Sequence, residues 1–159
     1  MSAPACPVSI RYVSAAAREI YARDGGLRCA TPGAAGMDLR ACCAEETISI
    51  PAGGRALIPA GVAVQPGMPG IAGFVYSRSG LGAKRGLTVA QGVGLIDPDY
   101  TGEIMVMLLN TADQCREIRR GERMAQLVFQ PFFRADCTEV PALNSTERGS
   151  GGFGHTGRQ

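Results

Sequence analysis

Proline and glycine interrupt this chain every few residues, so each regular segment must be short. The 159 residues include 22 glycines and 10 prolines, and the segments between them are rich in β-branched and aliphatic residues. Many short strands separated by turn residues are typical of a β-sandwich or barrel and disfavour alternating strand–helix units. The predicted strands span residues 8–13, 37–44, 46–50, 55–64, 71–77, 86–90, 102–110, 123–132 and 137–140.

Only two segments of the sequence favour helix. Ser14 to Arg23 contains good helix formers after a serine that can cap the first turn, and Ser79 to Gly86 has room for one turn. The chain has no internal repeat and no interior linker. The sequence therefore predicts one all-β domain, residues 1–147, followed by a flexible glycine-rich C-terminal arm, residues 148–159.

Charge and hydropathy exclude several classes of partner. The net charge of +2 is too small to indicate nucleic-acid binding. The longest apolar run, Ile104 to Leu109, is far shorter than the ~20 residues that a membrane helix needs. The N-terminus lacks a basic flank followed by an apolar region, so we expect no signal peptide. We expect a soluble, cytoplasmic protein with no nucleic-acid or membrane partner.

The cysteines do not form a metal-binding pattern. None of the six belongs to a C-x-x-C pair, and the chain has one histidine, which disfavours a zinc site. We expect them to be small buried thiols in a reducing cytosol.

The segment "YSRSGLGAKRG" combines features that suit phosphate. The Arg78 guanidinium, the Ser79 hydroxyl and the free N–H groups of a helical turn beginning near Gly80 are all donors to anionic oxygens. The segment does not match the G-x-x-x-x-G-K-[ST] loop. The alternative is a solvated connection between strands.

The segment "GVGLIDPDYTGE" offers glycines and carboxylates. Gly92 and Gly94 would let the backbone approach a flat ligand, with Leu95 and Ile96 filling the core beneath. Asp97, if held in place, is a candidate general base. By itself D-P-D-Y is also a common turn.

Three further segments contain candidate site residues. Asp38 begins a strand although aspartate is disfavoured in strands, and a capped turn is the alternative explanation. Arg123 and Gln126 open an otherwise apolar strand, where an ordinary sheet position is the alternative. In the arm, Arg148 supplies charge for a terminal phosphate and Phe153 a surface for stacking on a nucleobase, against the alternative of an idle tail.

The order of these motifs resembles one known family. "AGMDLRA", "RSGLGAKRG", "GLIDPDYTGE", "GERMAQL" and "RGSGGFGHTG" are similar, in sequence order, to the five motifs of the deoxyuridine triphosphatase (dUTPase) family. The resemblance implies a distorted jelly-roll of the β-clip type, assembled as a homotrimer with sites shared between subunits. It further implies hydrolysis of dUTP to dUMP and pyrophosphate, with Mg²⁺ held mainly by the triphosphate. Residues Ser14 to Gly26 form a longer segment than the resemblance implies, and it gives them no role.

The resemblance also implies roles for individual residues. Asp97 matches the general base that activates the attacking water, and Tyr100 the aromatic residue that excludes a 2′-hydroxyl. The hairpin from Gln91 to Asp97 matches the segment that binds uracil, and Asp38 a carboxylate that orients water on Mg²⁺. The residues matched to substrate binding are Arg78, Ser79, Gly80, Gln91, Gly94, Leu95, Ile96, Tyr100, Met105, Gln126, Arg148, Phe153, Gly154 and Thr156.

Two other functions remain open at this point. A dCTP deaminase or a bifunctional deaminase–triphosphatase would share the fold, although "GGFGHTG" and the setting of Asp97 argue against it. A non-catalytic nucleotide-sensing relative would keep the fold without turnover, although every charged motif position is present here.

Overall fold

A computed structural model of the chain describes residues 5–152 and residue 155. Strands dominate, and the two helices are short, so the all-β prediction is confirmed. The elements are β1 (Val8–Tyr12), α1 (Ala15–Ala22), β2 (Met37–Arg40), β3 (Thr47–Ile50), β4 (Arg55–Pro59), β5 (Val62–Pro66), β6 (Ile71–Ser77), α2 (Ser79–Arg85), β7 (Leu87–Val89), β8 (Val93–Ile96), β9 (Met105–Asn110), β10 (Arg116–Arg119) and β11 (Arg123–Pro131).

The strands form four small sheets, and every pairing between the named strands is antiparallel. The largest sheet has the order β2–β11–β6–β8, so β11 lies between strands that are far apart in the sequence. A second sheet has the order β4–β9–β7, and two strand pairs, β1–β5 and β3–β10, complete the set. The core between them consists of aliphatic side chains such as Leu39, Ile58 and Leu127, each fully buried.

Helix α1 is anchored at both ends. The Ser14 side chain accepts a hydrogen bond from the N–H of Ala17, as predicted for its cap. At the other end, the buried Tyr21 hydroxyl donates to the carbonyl of Ala60 (2.9 Å) and accepts from the N–H of Arg40 (3.0 Å). Burial raises the pKa of the Tyr21 phenol, so this group stays protonated at neutral pH.

Several predicted elements have different bounds. The strand predicted at 137–140 is wrong, because residues 132–150 are all exposed and contain no strand. Strands β8 and β10 were not predicted. The segment 55–64 divides into β4 and β5 at Gly61, which has a φ of +68°. The helical turn predicted from Ser79 extends over seven residues.

The cysteines are free, but the expectation that they are buried holds only for Cys43. Cys115 and Cys137 are exposed, and the other three are partly exposed. Burial raises the pKa of Cys42 to about 11, with a smaller contribution from the Glu103 carboxylate. Within residues 5–152, no helix is long and apolar enough to cross a membrane.

Candidate active site

Asp38 and Arg78 come together at one end of the four-stranded sheet. Asp38 on β2 lies opposite Gln126 on β11, and Gln126 in turn lies opposite Tyr76 on β6. This register brings the residue just after β6 next to β2. The Arg78 Nε donates to Asp38 Oδ1 at 2.9 Å, and the Asp38 side chain is only 15% exposed. Three of the predicted residues, from three different motifs, therefore form one cluster.

Arg123 completes this cluster. Its Nη1 lies 3.4 Å from Asp38 Oδ2, and its backbone carbonyl accepts a hydrogen bond from Arg78 Nη1 at 3.3 Å. One carboxylate is thus shared by two guanidinium groups, which leaves the cluster with an excess positive charge. Such an arrangement holds arginines at fixed positions without neutralising them, as a phosphate site requires.

The first turn of α2 borders the cluster. Arg78 is its N-cap residue, and no side chain caps this end. Ser79 and Gly80 are exposed, and a Cβ built on Gly80 would have no neighbour within 4 Å. The packing of this chain therefore does not require glycine at position 80, whereas the close approach of a ligand to the backbone would.

The segment expected to bind the base is a turn followed by one edge strand. The family resemblance implied a hairpin from Gln91 to Asp97, but β7 pairs with β9 whereas β8 pairs with β6. Gly94 is buried, and a Cβ there would lie 3.2 Å from the Cβ of Val75. Leu95 was expected to fill the core and is instead 59% exposed, because alternate residues of β8 face outward. Ile96 packs against the core as predicted.

Asp97 and Tyr100 lie in the turn after β8. The N–H of Tyr100 donates to the carbonyl of Asp97 at 3.1 Å, and the Tyr100 hydroxyl donates to the carbonyl of Glu103 at 2.8 Å. Both side chains are exposed. The second hydrogen bond fixes the tyrosine ring beside Gly102, where a Cβ would collide with the hydroxyl at 2.5 Å.

Gln91 and Met105 face a common groove. It has a volume of about 400 Å³, and Leu57 and Met107 also line it. Met105 and Leu57 are 40% and 52% exposed, so this face of the β4–β9–β7 sheet presents apolar side chains to the surroundings.

The cluster around Asp38 and Arg78 lies at one end of the β6–β8 pair, and Asp97 lies at the other end. Tyr76 pairs with Val93, near Arg78, whereas Gly73 pairs with Ile96, next to Asp97. Six residue steps separate Arg78 from Asp97 along this ladder, which corresponds to roughly 20 Å at the rise of a β-strand. A single chain therefore does not bring these two residues to the same ligand atom.

The arm residues that the structure describes make local contacts. The Arg148 Nε donates to the carbonyl of Gly151 at 3.0 Å, and Arg148 is exposed. Phe153, Gly154 and Thr156, also predicted for the site, lie outside the described residues.

Two members of the charged network, Asp24 and Arg40, were missed from the sequence, whereas Arg123 was noted there as a polar residue that opens a strand. Asp24, just after α1, binds both Arg40 and Arg123, with 2.8 Å between its Oδ2 and Arg123 Nη2. The hydrogen bond from Arg123, followed by that from Arg40, lowers the pKa of the Asp24 carboxyl. Nothing in "ARDGGL" distinguishes this aspartate from one in an ordinary turn. The position of Arg123 within "GERMAQL" was the available signal for that residue.

Comparison with known proteins matches this geometry to one family. A family model described as dUTPase matches residues 27–157. The deoxyuridine 5′-triphosphate nucleotidohydrolase of Photorhabdus laumondii is 46% identical over 130 residues, 82% of this chain and 85% of that protein. That of Pectobacterium carotovorum is 47% identical over 129 residues, 81% and 84% of the two chains.

Solved structures agree with the sequence comparison. The dUTPase of Staphylococcus bacteriophage 80alpha, solved with dUpNHpp, superposes with a TM-score of 0.79 at 26% identity, covering 95% of this chain and 98% of that one. The dUTPase of Streptococcus mutans gives 0.62 at 34% identity, covering 69% and 88%. The motifs, the sheet order and these matches lead to one conclusion: the chain belongs to the dUTPase family.

Proposed function

We propose that this chain hydrolyses dUTP to dUMP and pyrophosphate. The observation that carries the proposal is the meeting of Asp38, Arg78 and Gln126, which are distant in sequence, at one end of the four-stranded sheet. Arg78 and the open first turn of α2 would bind the phosphate oxygens, together with the exposed Ser79 and Gly80 and the half-buried Gln126. Phosphoryl chemistry depends on positioning and on charge neutralisation, which this cluster supplies.

The deoxyuridine would bind along β8. The buried Gly94 and the turn at Gln91 present backbone groups to the uracil edge, while the exposed Leu95 and the neighbouring Ile96 and Met105 offer apolar contacts. Tyr100, whose ring is held through its hydroxyl, would pack on the deoxyribose and leave no room for a 2′-hydroxyl.

Asp97 is the proposed general base. It would accept a proton from the water that attacks the α-phosphorus, so that the P–O bond to the pyrophosphate leaving group breaks as the bond to water forms. Its exposed carboxylate is accessible to a bound substrate, and the turn closed by Tyr100 fixes its backbone.

Mg²⁺ is the proposed cofactor. Among residues 5–152, no group of three or more His, Cys, Asp or Glu side chains could hold a metal. This fits Mg²⁺, which keeps several waters and binds largely through substrate phosphates. Asp38 suits a role through water, because Arg78 and Arg123 balance its charge while its oxygens keep free lone pairs. When bound, the ion would neutralise charge on the triphosphate.

The active assembly is proposed to be a homotrimer in which each site combines two or more chains. The roughly 20 Å between Arg78 and Asp97 within one chain supports this, because the phosphates of one nucleotide span far less than that distance. The arm, residues 148–159, would close over a site, with Arg148 and Thr156 on the phosphates and Phe153 and Gly154 at the base. Residues 1–147 would form the β domain.

The cytoplasm is the proposed location of the reaction. All six cysteines are free, and free thiols persist in a reducing compartment.

A pyrophosphate-release assay with dUTP, dTTP, dCTP and UTP tests the function. We expect release from dUTP alone, and only with Mg²⁺. Asp97→Asn should lower turnover by about 10²–10⁴-fold, the usual contribution of a general base. Asp99→Asn, in the same exposed turn, is the matched control and should retain activity.

Three results would contradict the proposal. Near-normal turnover in Asp97→Asn would exclude this residue as the base. Ammonia released from dCTP would indicate a deaminase of the same fold. Tight dUTP binding without hydrolysis would indicate a nucleotide-sensing relative.

A further inference from the structure

Residues Ser14 to Gly26 precede the part of the chain that matches the family model, which begins at residue 27. They form α1 and the turn that follows it; α1 packs against β1, and Tyr21 and Asp24 bind Arg40 of β2. The carboxylate of Asp24, at the end of this segment, points at the charged cluster. The family model does not cover this segment, so its role rests on the contacts that it makes in this chain.

Asp24 is held firmly in place. Its N–H donates to the carbonyl of Tyr21 at 3.1 Å, and its carbonyl accepts from Arg28 Nε at 2.7 Å. Tyr21 itself is buried and bonded to Ala60 and Arg40. The backbone at Asp24 is therefore fixed to the β domain through the end of α1.

The Asp24 carboxylate connects this anchor to the cluster. Its Oδ2 accepts hydrogen bonds from Arg40, whose side chain is 13% exposed, and from Arg123 Nη2. The other arm of the Arg123 guanidinium lies 3.4 Å from Asp38 Oδ2, while Asp38 Oδ1 accepts from Arg78. Asp24, Arg123, Asp38 and Arg78 thus form one continuous chain of charge-assisted contacts.

We propose that Asp24 is a positioning residue that acts through Arg123 and Asp38 to hold Arg78 where it meets the substrate phosphates. This rests on the proposed function, because it takes Arg78 to be a phosphate contact. With Asp24 present, the Arg123 guanidinium spans two carboxylates and leaves Asp38 Oδ1 to Arg78. Without it, both arms of Arg123 are free to bind Asp38, and Arg123 then competes with Arg78 for that oxygen.

The geometry also explains why a neutral side chain at position 24 would not hold Arg78 in place. Asp24 and Asp38 line the same polar cavity of about 400 Å³, together with Arg40 and Arg123. Removing the Asp24 charge leaves three arginines, Arg40, Arg78 and Arg123, around the single carboxylate of Asp38. The guanidinium groups then repel one another more strongly, which shifts Arg78 from its position.

The test compares a triphosphate ligand with a monophosphate ligand. We expect Asp24→Ala to weaken binding of the imido analogue of dUTP, dUpNHpp, by about three- to tenfold, the usual size of coupling through a contact network. Binding of dUMP should change much less, because its phosphate does not extend as far. In turnover, KM for dUTP should rise more than kcat falls. Asp24→Glu, which keeps the charge, should restore most of the affinity.

Two controls separate positioning from loss of fold. Asp24→Asn keeps the size of the side chain but not its charge, and should behave like Asp24→Ala with a near-native thermal transition. Glu46→Ala removes an acidic residue that lies 4.0 Å from Arg120 and is 82% exposed, and should leave both affinities unchanged.

The outcomes distinguish this inference from the proposed function. If the wild-type protein binds dUpNHpp no more tightly than dUMP and releases no pyrophosphate from dUTP, the proposed function fails. If the wild-type protein does both and Asp24→Ala keeps the full preference for the triphosphate, the positioning role of Asp24 is wrong. An equal loss for both ligands, not restored by Asp24→Glu, would also overturn it.

Discussion

Gly61 is a residue where conformation and packing both demand glycine. Its φ is +68°, and a Cβ would lie 2.5 Å from Cys42 Sγ and 2.6 Å from Ala17 Cβ. Gly61 thus lets β4 turn into β5 directly under α1. We expect Gly61→Ala to destabilise the protein through left-handed strain of about 1–2 kcal/mol and overpacking of about 1–3 kcal/mol.

The matched control for this substitution is Gly53→Ala. Gly53 has nearly the same φ, +69°, but a Cβ there would meet nothing within 4 Å. Chemical denaturation of both variants should give a larger loss for Gly61→Ala, and the difference between them measures the steric part. Equal losses would mean that the contact with Cys42 and Ala17 is relieved without cost.

The raised pKa of Cys42 predicts that the free energy of unfolding decreases at alkaline pH. Burial raises its pKa from 9.0 to about 11, so between these values the unfolded chain loses the thiol proton while the folded chain keeps it. The stabilisation from the neutral thiol is complete below pH 9 and disappears as the pH rises through about 11. The difference in unfolding free energy between wild type and Cys42→Ala should therefore shrink from pH 8 to pH 10. A constant difference across this range would contradict it.

At the scale of elements, we expect the C-terminal arm to be separable from the β domain. The last strand ends at Pro131, and the side chain of Arg148 bonds to carbonyls of the arm itself. Deleting residues 148–159 should leave the thermal transition of the β domain nearly unchanged. It should lower dUTP turnover by about 10²-fold, because substrate would no longer be enclosed and aligned.

A graded control sharpens this prediction. Arg148→Ala in the full-length chain removes one charge while keeping Phe153, and should cause a smaller loss than the deletion. If the shortened protein keeps full activity, the arm has no part in the reaction.

Strand positions were predictable from runs of apolar residues in the sequence, and less predictable elsewhere. β9 and β11 are long aliphatic runs, and their existence follows from composition alone. β10 has the sequence REIR with one buried residue, Ile118, so its pairing with β3 is a tertiary contact that local pattern does not reveal. The opposite error occurred at 137–140, where a β-favouring sequence has no strand to pair with.

The charged cluster was also predictable only in part, because some of its members are linked by tertiary contacts that local sequence does not reveal. The motif order gave Asp38, Arg78 and Gln126, and the sheet register brings them together. Asp24 was missed because its significance arises from a contact with Arg123, which is 99 residues away in the sequence. The exposure of Leu95 was missed because the sequence alone does not fix which face of β8 is covered.

For the whole molecule, the separation of Arg78 from Asp97 makes a quantitative prediction about assembly. Arg78→Ala and Asp97→Asn should each leave only a small residual turnover in a uniform oligomer. If a site takes Arg78 from one chain and Asp97 from another, trimers refolded from an equal mixture contain sites with both intact residues. Random mixing should restore about a quarter of the wild-type activity.

The measurement is dUTP turnover before and after joint refolding, with the oligomer mass from light scattering as a control. Recovery to about a quarter is expected for shared sites in a closed symmetric assembly. Failure to recover activity in a mixed oligomer, or a monomeric mass at working concentration, would contradict shared sites.

The position of β11 in the sheet has a consequence for the nascent chain. This strand joins β2 to β6, yet it is the last strand to be synthesised. While the ribosome translates the residues from 78 to 122, the edge of β6 that β11 later covers stays open, and open edges are templates for wrong pairing. We therefore expect wrong pairing during synthesis to begin at this open edge, before the strand that closes the largest sheet emerges.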